Sequence, residues 1–297
     1  MTDTPAIHTR DLWKRYGGME AVRGLNLRVA PGRITGFLGR NGAGKSSTIK
    51  MLLGMMRPTS GDGTVLGMRF CDPHESVELR RRVAYVSEDK RLYGYMTVQQ
   101  IIDFTKSFFP DWRPEVCDRL LRDYELPPAR KIKALSKGMR TKLALLLALA
   151  RRPELLILDE PSEGLDPVGI EQLLQALIAQ SAEGTAVFFS SHQISEVERI
   201  ADQVCMLEQG QLVLDVSLDD LRERYRQIDC IFPSLPEQRE FQFAGVESIR
   251  AKGLQLSVLT SGNTDAIVER ARDFHASSIQ VAPVGLREMF LDKVKVI

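Results

Sequence analysis

The sequence predicts an α/β fold with a mostly parallel sheet, followed by a small α+β region. From residue 34 to about residue 214, short apolar stretches alternate with segments of helical spacing. That alternation is typical of domains in which helices cover both faces of a parallel sheet. After Ser217, charged segments and prolines interrupt the pattern. We therefore expect a first domain over residues 5–217 and a small accessory domain over residues 218–297.

The first predicted elements flank a glycine-rich loop. Ile34 to Leu38 is an apolar stretch that ends in this loop, and it predicts a buried strand. After the loop, Ile49, Leu52 and Leu53 recur at helical spacing until Gly54 ends the predicted helix. The loop therefore joins a strand to a helix.

Four further segments complete the predicted first domain. The continuous apolar runs Leu155–Leu158 and Ala186–Phe189 are typical of strands that are buried on both faces of a parallel sheet. Residues 25–29 alternate apolar and polar side chains, which predicts one half-exposed strand in a small antiparallel layer. Residues 204–214 contain two apolar runs around Gln209-Gly210 and predict a hairpin.

The accessory domain is predicted to mix helices and strands. A capped helix is expected from Ser217 to Arg226, and strands are expected at Leu254–Leu259 and Ser278–Ala282. An amphipathic helix over Asp265–Phe274 separates these strands. The last apolar residues, from Leu286 to Val294, have the spacing of a closing helix.

Composition excludes several classes of protein. The 297 residues carry 40 Lys and Arg against 39 Asp and Glu, so the bulk charge gives no reason to expect a nucleic-acid partner. The four cysteines contain no Cys-x-x-Cys pair, and we expect them to be reduced. The densest apolar run, Leu143–Ala150, is far shorter than the roughly 20 residues of a spanning helix. We therefore expect a chain that is soluble alone, without a signal peptide, and that reaches a membrane only through another chain.

The glycine-rich loop carries the clearest chemistry. It fits the P-loop pattern G-x-x-x-x-G-K-[ST] in full, and its predicted strand and helix supply the context that supports the motif. Backbone N–H groups of such a loop surround phosphate oxygens, and the following helix dipole favours negative charge. Lys45 is expected to reach the terminal phosphates and Ser46 to ligate Mg²⁺. The predicted ATP-binding residues are Gly39, Arg40, Asn41, Gly42, Ala43, Gly44, Lys45, Ser46 and Ser47.

Two acids follow the apolar strand that ends at Leu158. Asp159 and Glu160 at the carboxyl end of a buried strand are costly unless they face a cation or water. Alone, the pair could equally be a solvated strand end. With a phosphate loop in the chain, we expect Asp159 to hold the Mg²⁺ shell and Glu160 to orient and deprotonate the attacking water.

A third segment, after the phosphate loop and the acid pair, indicates which class of protein carries these motifs. Leu135 is followed by Ser136, Lys137, Gly138 and Met139, ahead of a strongly apolar helix. A serine before a helix is usually an N-cap. The order of the three segments, however, resembles that of the ABC ATPase family, in which a Leu-Ser-Gly-Gly-Gln signature stands shortly before the second acidic motif. Lys137 and Met139 depart from that pattern, whereas Ser136 and Gly138 retain it.

The resemblance extends over about residues 5–230 and implies further roles. Tyr16 occupies the position of the aromatic residue that stacks on adenine, although it could equally be a core tyrosine. Asp166 is the acid of a D-loop, and His192 resembles the switch histidine at the γ-phosphate, although a lone histidine is more often structural. Glu88 stands where the family usually has a metal-contacting glutamine, and branches that export substrates also use glutamate there.

The resemblance also implies an architecture and an assembly. It implies an ABC-type P-loop NTPase with an antiparallel layer and a helical subdomain at about residues 90–150. Two copies, or this chain and a paralogue, would form a head-to-tail dimer in which Ser136 serves the partner's ATP. ATP binding and hydrolysis would power a separately encoded membrane permease from the cytoplasmic face of the membrane. The docking surface would include Glu88 and a helical segment around Tyr93–Phe109.

Export of an unknown substrate is the expected direction. Glu88, the altered signature and the C-terminal tail favour it, because the tail resembles that of bacterial exporter ATPases. Two alternatives remain open. One is a soluble ABC ATPase that acts on ribosomes or DNA, which the single ATPase module and the 113 residues between Ser46 and Asp159 (159 minus 46) disfavour. The other is a regulatory subunit without hydrolysis, which Glu160 and His192 disfavour.

Overall fold

The computed structural model describes residues 4–294, which divide into one compact unit up to Asp215 and a second from Val216. Its strands are β1 (Ile7–Tyr16), β2 (Met19–Leu25), β3 (Arg28–Val29), β4 (Ile34–Leu38), β5 (Ser60–Val65), β6 (Met68–Arg69), β7 (Val83–Val86), β8 (Leu155–Asp159), β9 (Ala186–Ser191), β10 (Gln203–Glu208), β11 (Gln211–Ser217), β12 (Arg226–Ile231), β13 (Val246–Lys252), β14 (Gln255–Thr260) and β15 (Ser278–Pro283). Its α-helices are α1 (Lys45–Leu52), α2 (Pro73–Arg82), α3 (Val98–Lys106), α4 (Pro114–Asp123), α5 (Lys137–Leu149), α6 (Pro167–Ala182), α7 (Ile194–Ile200), α8 (Leu218–Arg224), α9 (Thr264–Asp273) and α10 (Leu286–Val294).

A six-stranded sheet forms the centre of the first unit, in the order β11-β10-β4-β9-β8-β7. The strands from β10 to β7 pair in parallel. Every residue of β4, β8 and β9 is buried, because helices cover a parallel sheet on both faces. The predicted parallel sheet and the predicted hairpin of β10 and β11 are therefore confirmed.

The carboxyl ends of three central strands meet at one edge of this sheet. Leu38 at the end of β4 pairs with Ser191 of β9, and Asp159 at the end of β8 pairs with Ser190. The segments that follow these strands must therefore emerge side by side. In open α/β sheets, ligands bind at this carboxyl edge.

The second sheet of this unit is antiparallel and differs from the prediction in one place. Its path is β2-β1-β5-β6, with β3 also paired to β1. The single strand predicted over residues 25–29 is wrong, because β2 ends at Leu25 and β3 begins at Arg28. Asn26 interrupts the ladder: its side chain accepts a hydrogen bond from the Asp11 N–H and donates one to the Gly24 carbonyl, both at 3.0 Å. Leu25, Leu27 and Val29 still point inward.

Helices α3, α4 and α5 lie between β7 and β8, where the helical subdomain is predicted. The helix expected around Tyr93–Phe109 is shorter than predicted. It begins at Val98, because Thr97 caps it: the Thr97 hydroxyl accepts from the Gln100 N–H, and the Gln100 side chain accepts from the Thr97 N–H. Residues 91–97 ahead of it are not helical.

The second unit has its own four-stranded antiparallel sheet, in the order β13-β14-β12-β15. Helix α9 packs on it around a core that includes Ile228, Val258 and Ile267. The predicted strands β14 and β15 and the helices α8, α9 and α10 are confirmed. Strands β12 and β13 were not predicted, and the helix expected to reach Arg226 ends at Arg224, because β12 starts at Arg226.

Two absences concern the described part of the chain. Between residues 4 and 294, no helix is both long enough and apolar enough to cross a membrane. The four cysteines, Cys71, Cys117, Cys205 and Cys230, are free thiols. Burial raises the pKa of Cys117 and of Cys230 to about 11, so both thiols are protonated near neutral pH.

Candidate functional site: a phosphate loop with a Lys-Glu-His group

The phosphate loop needs glycine where the backbone packs against neighbours. Gly44 has φ +107°, and a Cβ there would lie 2.2 Å from the Ala21 carbonyl oxygen. A Cβ on Gly39 would lie 2.5 Å from the Leu207 carbonyl oxygen. The loop is also braced by Gly210, whose N–H donates to the Ala43 carbonyl at 3.0 Å. These close approaches fix the path of the loop between β4 and α1.

The N-terminus of α1 is open towards a ligand. Its N-cap, Gly44, supplies no side-chain hydrogen bond, and its first turn contains no acid. The first backbone N–H groups of the helix are therefore free to bind an anion, and the helix dipole favours negative charge there. A Cβ on Gly42, at φ +84°, would meet nothing within 4 Å, so the loop leaves room above it.

A cavity of about 330 Å³ lies at this helix end. Most of the predicted ATP-binding residues line it, together with the predicted catalytic Glu160 and the predicted metal ligand Glu88. The lining residues are Met19, Ala21, Arg40, Asn41, Gly42, Gly44, Lys45, Ser46, Ser47, Glu88 and Glu160. A second cavity of about 440 Å³ lies on the other side of the loop, where Ala43 and His192 contribute to its wall.

Glu160 connects the phosphate loop to the end of β9. Lys45 Nζ lies 3.2 Å from Glu160 Oε1, an ion-pair contact without the alignment of a hydrogen bond. Glu160 Oε2 lies 2.8 Å from His192 Nδ1. Lys45 and Glu160 are 6% and 7% exposed, and Lys45 Nζ also donates to the Gly39 carbonyl at 2.6 Å. Three residues predicted from separate motifs therefore form one group.

Asp159 is held beside this group. Ser190 Oγ donates to Asp159 Oδ1 at 2.7 Å and accepts from the Glu160 N–H at 3.0 Å. Glu88 is exposed at the cavity wall. No cluster of three or more His, Cys, Asp or Glu residues that could hold a metal by itself exists within residues 4–294. Ser46 and Asp159 nevertheless suit Mg²⁺, which takes few protein ligands and completes its shell with phosphate oxygens and water.

Tyr16 does not line the cavity, but it lies near it. Its ring is 43% exposed, so Tyr16 is not a core tyrosine. Its hydroxyl donates to Met56 Sδ at 2.9 Å and lies 3.4 Å from Ser47 Oγ. Lys14 Nζ lies 5.1 Å from the ring centre. An exposed ring beside Ser47 leaves a face that a base could stack on.

The signature segment lines neither of these two cavities. Ser136 caps α5, and its hydroxyl accepts from the Met139 N–H at 3.1 Å. Lys137 Nζ donates to Glu163 at 2.6 Å, and a Cβ on Gly138 would lie 2.8 Å from the Gly164 carbonyl oxygen. The segment therefore packs on the segment that follows Glu160 and does not reach the phosphate loop of its own chain.

Asp166 caps a helix in this structure. Its Oδ1 accepts from the Gly169 N–H at 2.7 Å, at the start of α6. Asp166 is exposed, and the turn that Lys137 contacts through Glu163 spans residues 161–164, just before it. The local geometry of Asp166 is therefore that of an N-cap.

Glu196 and Lys90 are buried charged residues at this site that were not predicted. Glu196 on α7 is 4% exposed, and its Oε2 accepts from Ser162 Oγ at 2.9 Å and from Ser191 Oγ at 3.0 Å. Burial raises the pKa of the Glu196 carboxyl, and the two serine hydrogen bonds oppose this shift. Lys90 is 6% exposed, and its Nζ donates to the Glu160 carbonyl oxygen at 3.3 Å. Nothing in the sequence distinguishes either residue. Glu196 resembles an ordinary acid in the first turn of a helix, and Lys90 stands in a charged loop.

The phosphate loop on a strand–helix junction, with an acid pair on a neighbouring strand, defines a P-loop nucleoside triphosphatase. A family model described as "ABC transporter" matches residues 22–163. The bacitracin transport ATP-binding protein BcrA of Bacillus licheniformis is 37% identical over 224 residues, which are 74% of this chain and 72% of that protein. The chain thus belongs to the family of ABC transporter ATP-binding proteins, and as a member it binds ATP and is an ATPase.

Two further comparisons extend this result. The ABC transporter ATP-binding protein YtrB of Bacillus subtilis is 26% identical over 288 residues, which are 97% of each chain, so its likeness includes the second unit. A solved structure described as the ATP binding subunit of an ABC transporter is 31% identical, with a TM-score of 0.67. The match covers 74% of this chain and 92% of the chain in that structure.

Proposed function

We propose that this chain hydrolyses ATP to power a separately encoded membrane permease. The permease would export a substrate that the permease itself selects. The observation that carries the proposal is the meeting of Lys45, Glu160 and His192 beside the open end of α1. Support for transport comes from relatives whose names describe transport ATP-binding proteins. Export is favoured by Glu88 and by the departures in the signature.

The group of Lys45, Glu160 and His192 fits the hydrolytic step. Lys45 and the N–H groups of α1 supply positive charge for the β- and γ-phosphates. Glu160 Oε2 already contacts His192 Nδ1 at 2.8 Å, so the two side chains can orient a water together, and the carboxylate can accept its proton. Ser46 and Asp159 would hold Mg²⁺, which supplies charge neutralisation at the transferred phosphoryl group.

A second copy or a paralogue would complete the site in a head-to-tail dimer. The signature residues Ser136 and Gly138 lie away from the phosphate loop of their own chain, whereas the helix that they begin carries no acid in its first turn. That helix end is suited to approach an anion held elsewhere. ATP bound at one phosphate loop would thus meet the signature of the other copy.

An aromatic cluster marks the proposed docking surface for the permease. We use this name for Tyr93, Tyr95, Phe104 and Phe108, whose rings contact one another at centroid distances of 5.1–5.9 Å. Each of the four side chains is between 42% and 69% exposed. An exposed group of this kind is typical of a surface that a protein partner covers. It belongs to the segment after Glu88, and it would bring the chain to the cytoplasmic face of the membrane as a peripheral subunit.

The test uses Glu160→Gln. The amide keeps the volume but cannot accept a proton, so ATP should still bind while turnover falls by at least about a hundredfold. The variant should then accumulate as an ATP-bound dimer, which light scattering with ATP and Mg²⁺ would detect. A variant that hydrolyses ATP like the wild type would contradict the assignment of Glu160, and one that stays monomeric with the permease present would contradict the dimer.

A further inference from the structure

Two lysines are buried among residues 4–294, Lys45 and Lys90, and both reach Glu160. Lys45 Nζ lies 3.2 Å from the carboxylate, and Lys90 Nζ donates to the main-chain carbonyl at 3.3 Å. The phosphate motif explains the first lysine. Nothing in the assigned roles explains the second.

Lys90 does not behave as a lysine that merely covers apolar surface. Such lysines bury the alkyl stem and keep the ammonium group in water. Lys90 is 6% exposed, and its Nζ donates to a buried acceptor. Burial lowers the pKa of Lys90, while attraction to Glu163, Glu88 and Asp159 opposes the shift and Lys137 adds to it. The hydrogen bond to the Glu160 carbonyl and the attraction to Glu163 offset part of the cost of burying this amine.

The contact falls on a strained residue. Glu160 has φ +48° and Lys90 has φ +45°, left-handed conformations that cost a non-glycine residue free energy. The Glu160 carbonyl also accepts from the Glu163 N–H at 3.3 Å. A second donor from Lys90 helps to hold the carbonyl direction, and with it the direction in which the Glu160 side chain leaves the backbone.

Lys90 also belongs to a loop with a second role. It follows β7 in a turn in which its N–H donates to the Ser87 carbonyl at 3.2 Å. Glu88 lies in the same turn, and the aromatic cluster follows it. The hydrogen bond of Lys90 therefore joins this loop to the backbone of Glu160.

We propose that Lys90 is a positioning residue that ties the loop carrying Glu88 to the catalytic Glu160, so that displacement of this loop by a docked partner reorients the carboxylate. The part concerning a partner rests on the proposed function. The local part, that Lys90 holds the segment from Glu160 to Asp166, stands on geometry alone.

The decisive variant is Lys90→Met, which keeps the stem and removes the donor. We expect kcat for ATP hydrolysis to fall by about tenfold, the effect of losing one hydrogen bond from a charged donor, while ATP affinity stays within about twofold. Amide hydrogen exchange should accelerate in peptides that cover residues 160–166 and stay unchanged in α1. Lys90→Arg, which keeps a charged donor, should restore both readouts.

The matched control is Arg91→Met. Arg91 is the next residue, its side chain is 88% exposed, and it pairs with Asp89 at the loop surface. Arg91→Met removes a positive charge from the same loop, and it should change neither kcat nor amide exchange. Wild-type exchange and wild-type kcat in Lys90→Met would overturn the proposal. If that variant does not fold, Lys90→Leu, which also lacks a donor, replaces it. Exchange still tests the local contact if the wild-type chain hydrolyses no ATP, so the two failures are distinguishable.

Discussion

The phosphate loop and the signature segment use the same element, the N-terminus of a helix, in opposite ways. Helix α1 begins at Gly44 without a side-chain cap, and the buried Lys45 stands in its first turn. Helix α5 begins at Ser136, whose hydroxyl already accepts from the Met139 N–H, and the exposed Lys137 is paired with Glu163. The first helix end is therefore open to a ligand of its own chain, whereas the second is satisfied and stable without one.

This difference teaches which half of the nucleotide site a single chain provides. An uncapped helix end leaves its first N–H groups without side-chain partners, so an anion can bind them. A capped helix end already has a hydrogen-bond partner for its first turn, so it is stable before a ligand arrives with another copy. A single chain should thus bind ATP through the phosphate loop, and the signature should matter only after assembly.

The largest expected effect removes the charge at the open helix end. Lys45→Ala should weaken ATP binding by about tenfold or more, because a charge-assisted contact worth roughly 1.5–3 kcal/mol is lost. Titration calorimetry with ATP measures it. Lys50→Ala, an exposed lysine of the same helix, is the control and should bind normally. An affinity of Lys45→Ala within about threefold of the wild type would contradict the role of the phosphate loop.

The next prediction concerns the segment that joins the two regions. Glu160 faces the phosphate loop and Glu163 holds Lys137, while Ser162 between them is anchored by Glu196. Glu196→Ala removes the acceptor of Ser162 Oγ and the nearer acceptor of Ser191 Oγ, which keeps only the Gln193 carbonyl at 3.4 Å, and should lower the free energy of unfolding by about 1–3 kcal/mol. Glu196→Gln keeps an acceptor oxygen and should lower it less. Chemical denaturation measures both, and equal losses would contradict a role of the hydrogen bonds.

The same variant gives a pH test with a defined sign. Burial raises the pKa of Glu196 in the folded state, so the folded chain binds this proton more tightly than the unfolded chain. Its contribution to stability is present below the ordinary glutamate pKa and is lost as the pH rises through the raised value. Glu196→Gln should therefore lose less stability than the wild type over that window. Parallel curves would show that Glu196 titrates normally.

A smaller effect is expected at the capped helix end. Ser136→Ala should cost about 1 kcal/mol of stability, because α5 loses its N-cap bond. ATP affinity of the single chain should not change, since Ser136 lines neither cavity beside the phosphate loop. ATP-dependent dimerisation, followed by light scattering in the Glu160→Gln background, should weaken. Weaker ATP binding by the monomer would contradict the contrast between the two helix ends.

The smallest effect is expected from removal of the second unit. A cut at residue 234 would leave β12 without its neighbours β14 and β15, so the structure favours a cut after Ser217, where β11 ends. The chain of residues 1–217 keeps both helix ends and should bind ATP within about twofold of the full chain. A folded truncated chain that cannot bind ATP would show that the second unit contributes to the site.

The parts predictable from sequence are those that local pattern specifies. The phosphate loop has a fixed spacing between a buried strand and a helix, and parallel pairing then places Asp159, Glu160 and His192 at the same edge. Lys90 and Glu196 could not be predicted, because their burial depends on segments that are distant in sequence. No local pattern distinguishes a buried charged residue from a solvated one. Strands β12 and β13 escaped for a related reason: their outward faces are polar and charged, so their apolar residues are too few to stand out.

The brace between Gly210 and the phosphate loop has a practical consequence for protein engineering. The turn of β10 and β11 is two residues long and joins neighbouring strands, and hairpin turns are often chosen for inserting an epitope or a fluorescent tag. Here the turn is held on both sides: the Gly210 N–H donates to Ala43 at 3.0 Å, and its carbonyl accepts from the Arg23 N–H at 2.8 Å. An insertion would pull the antiparallel sheet and the phosphate loop apart, so this short turn is a poor site for a tag.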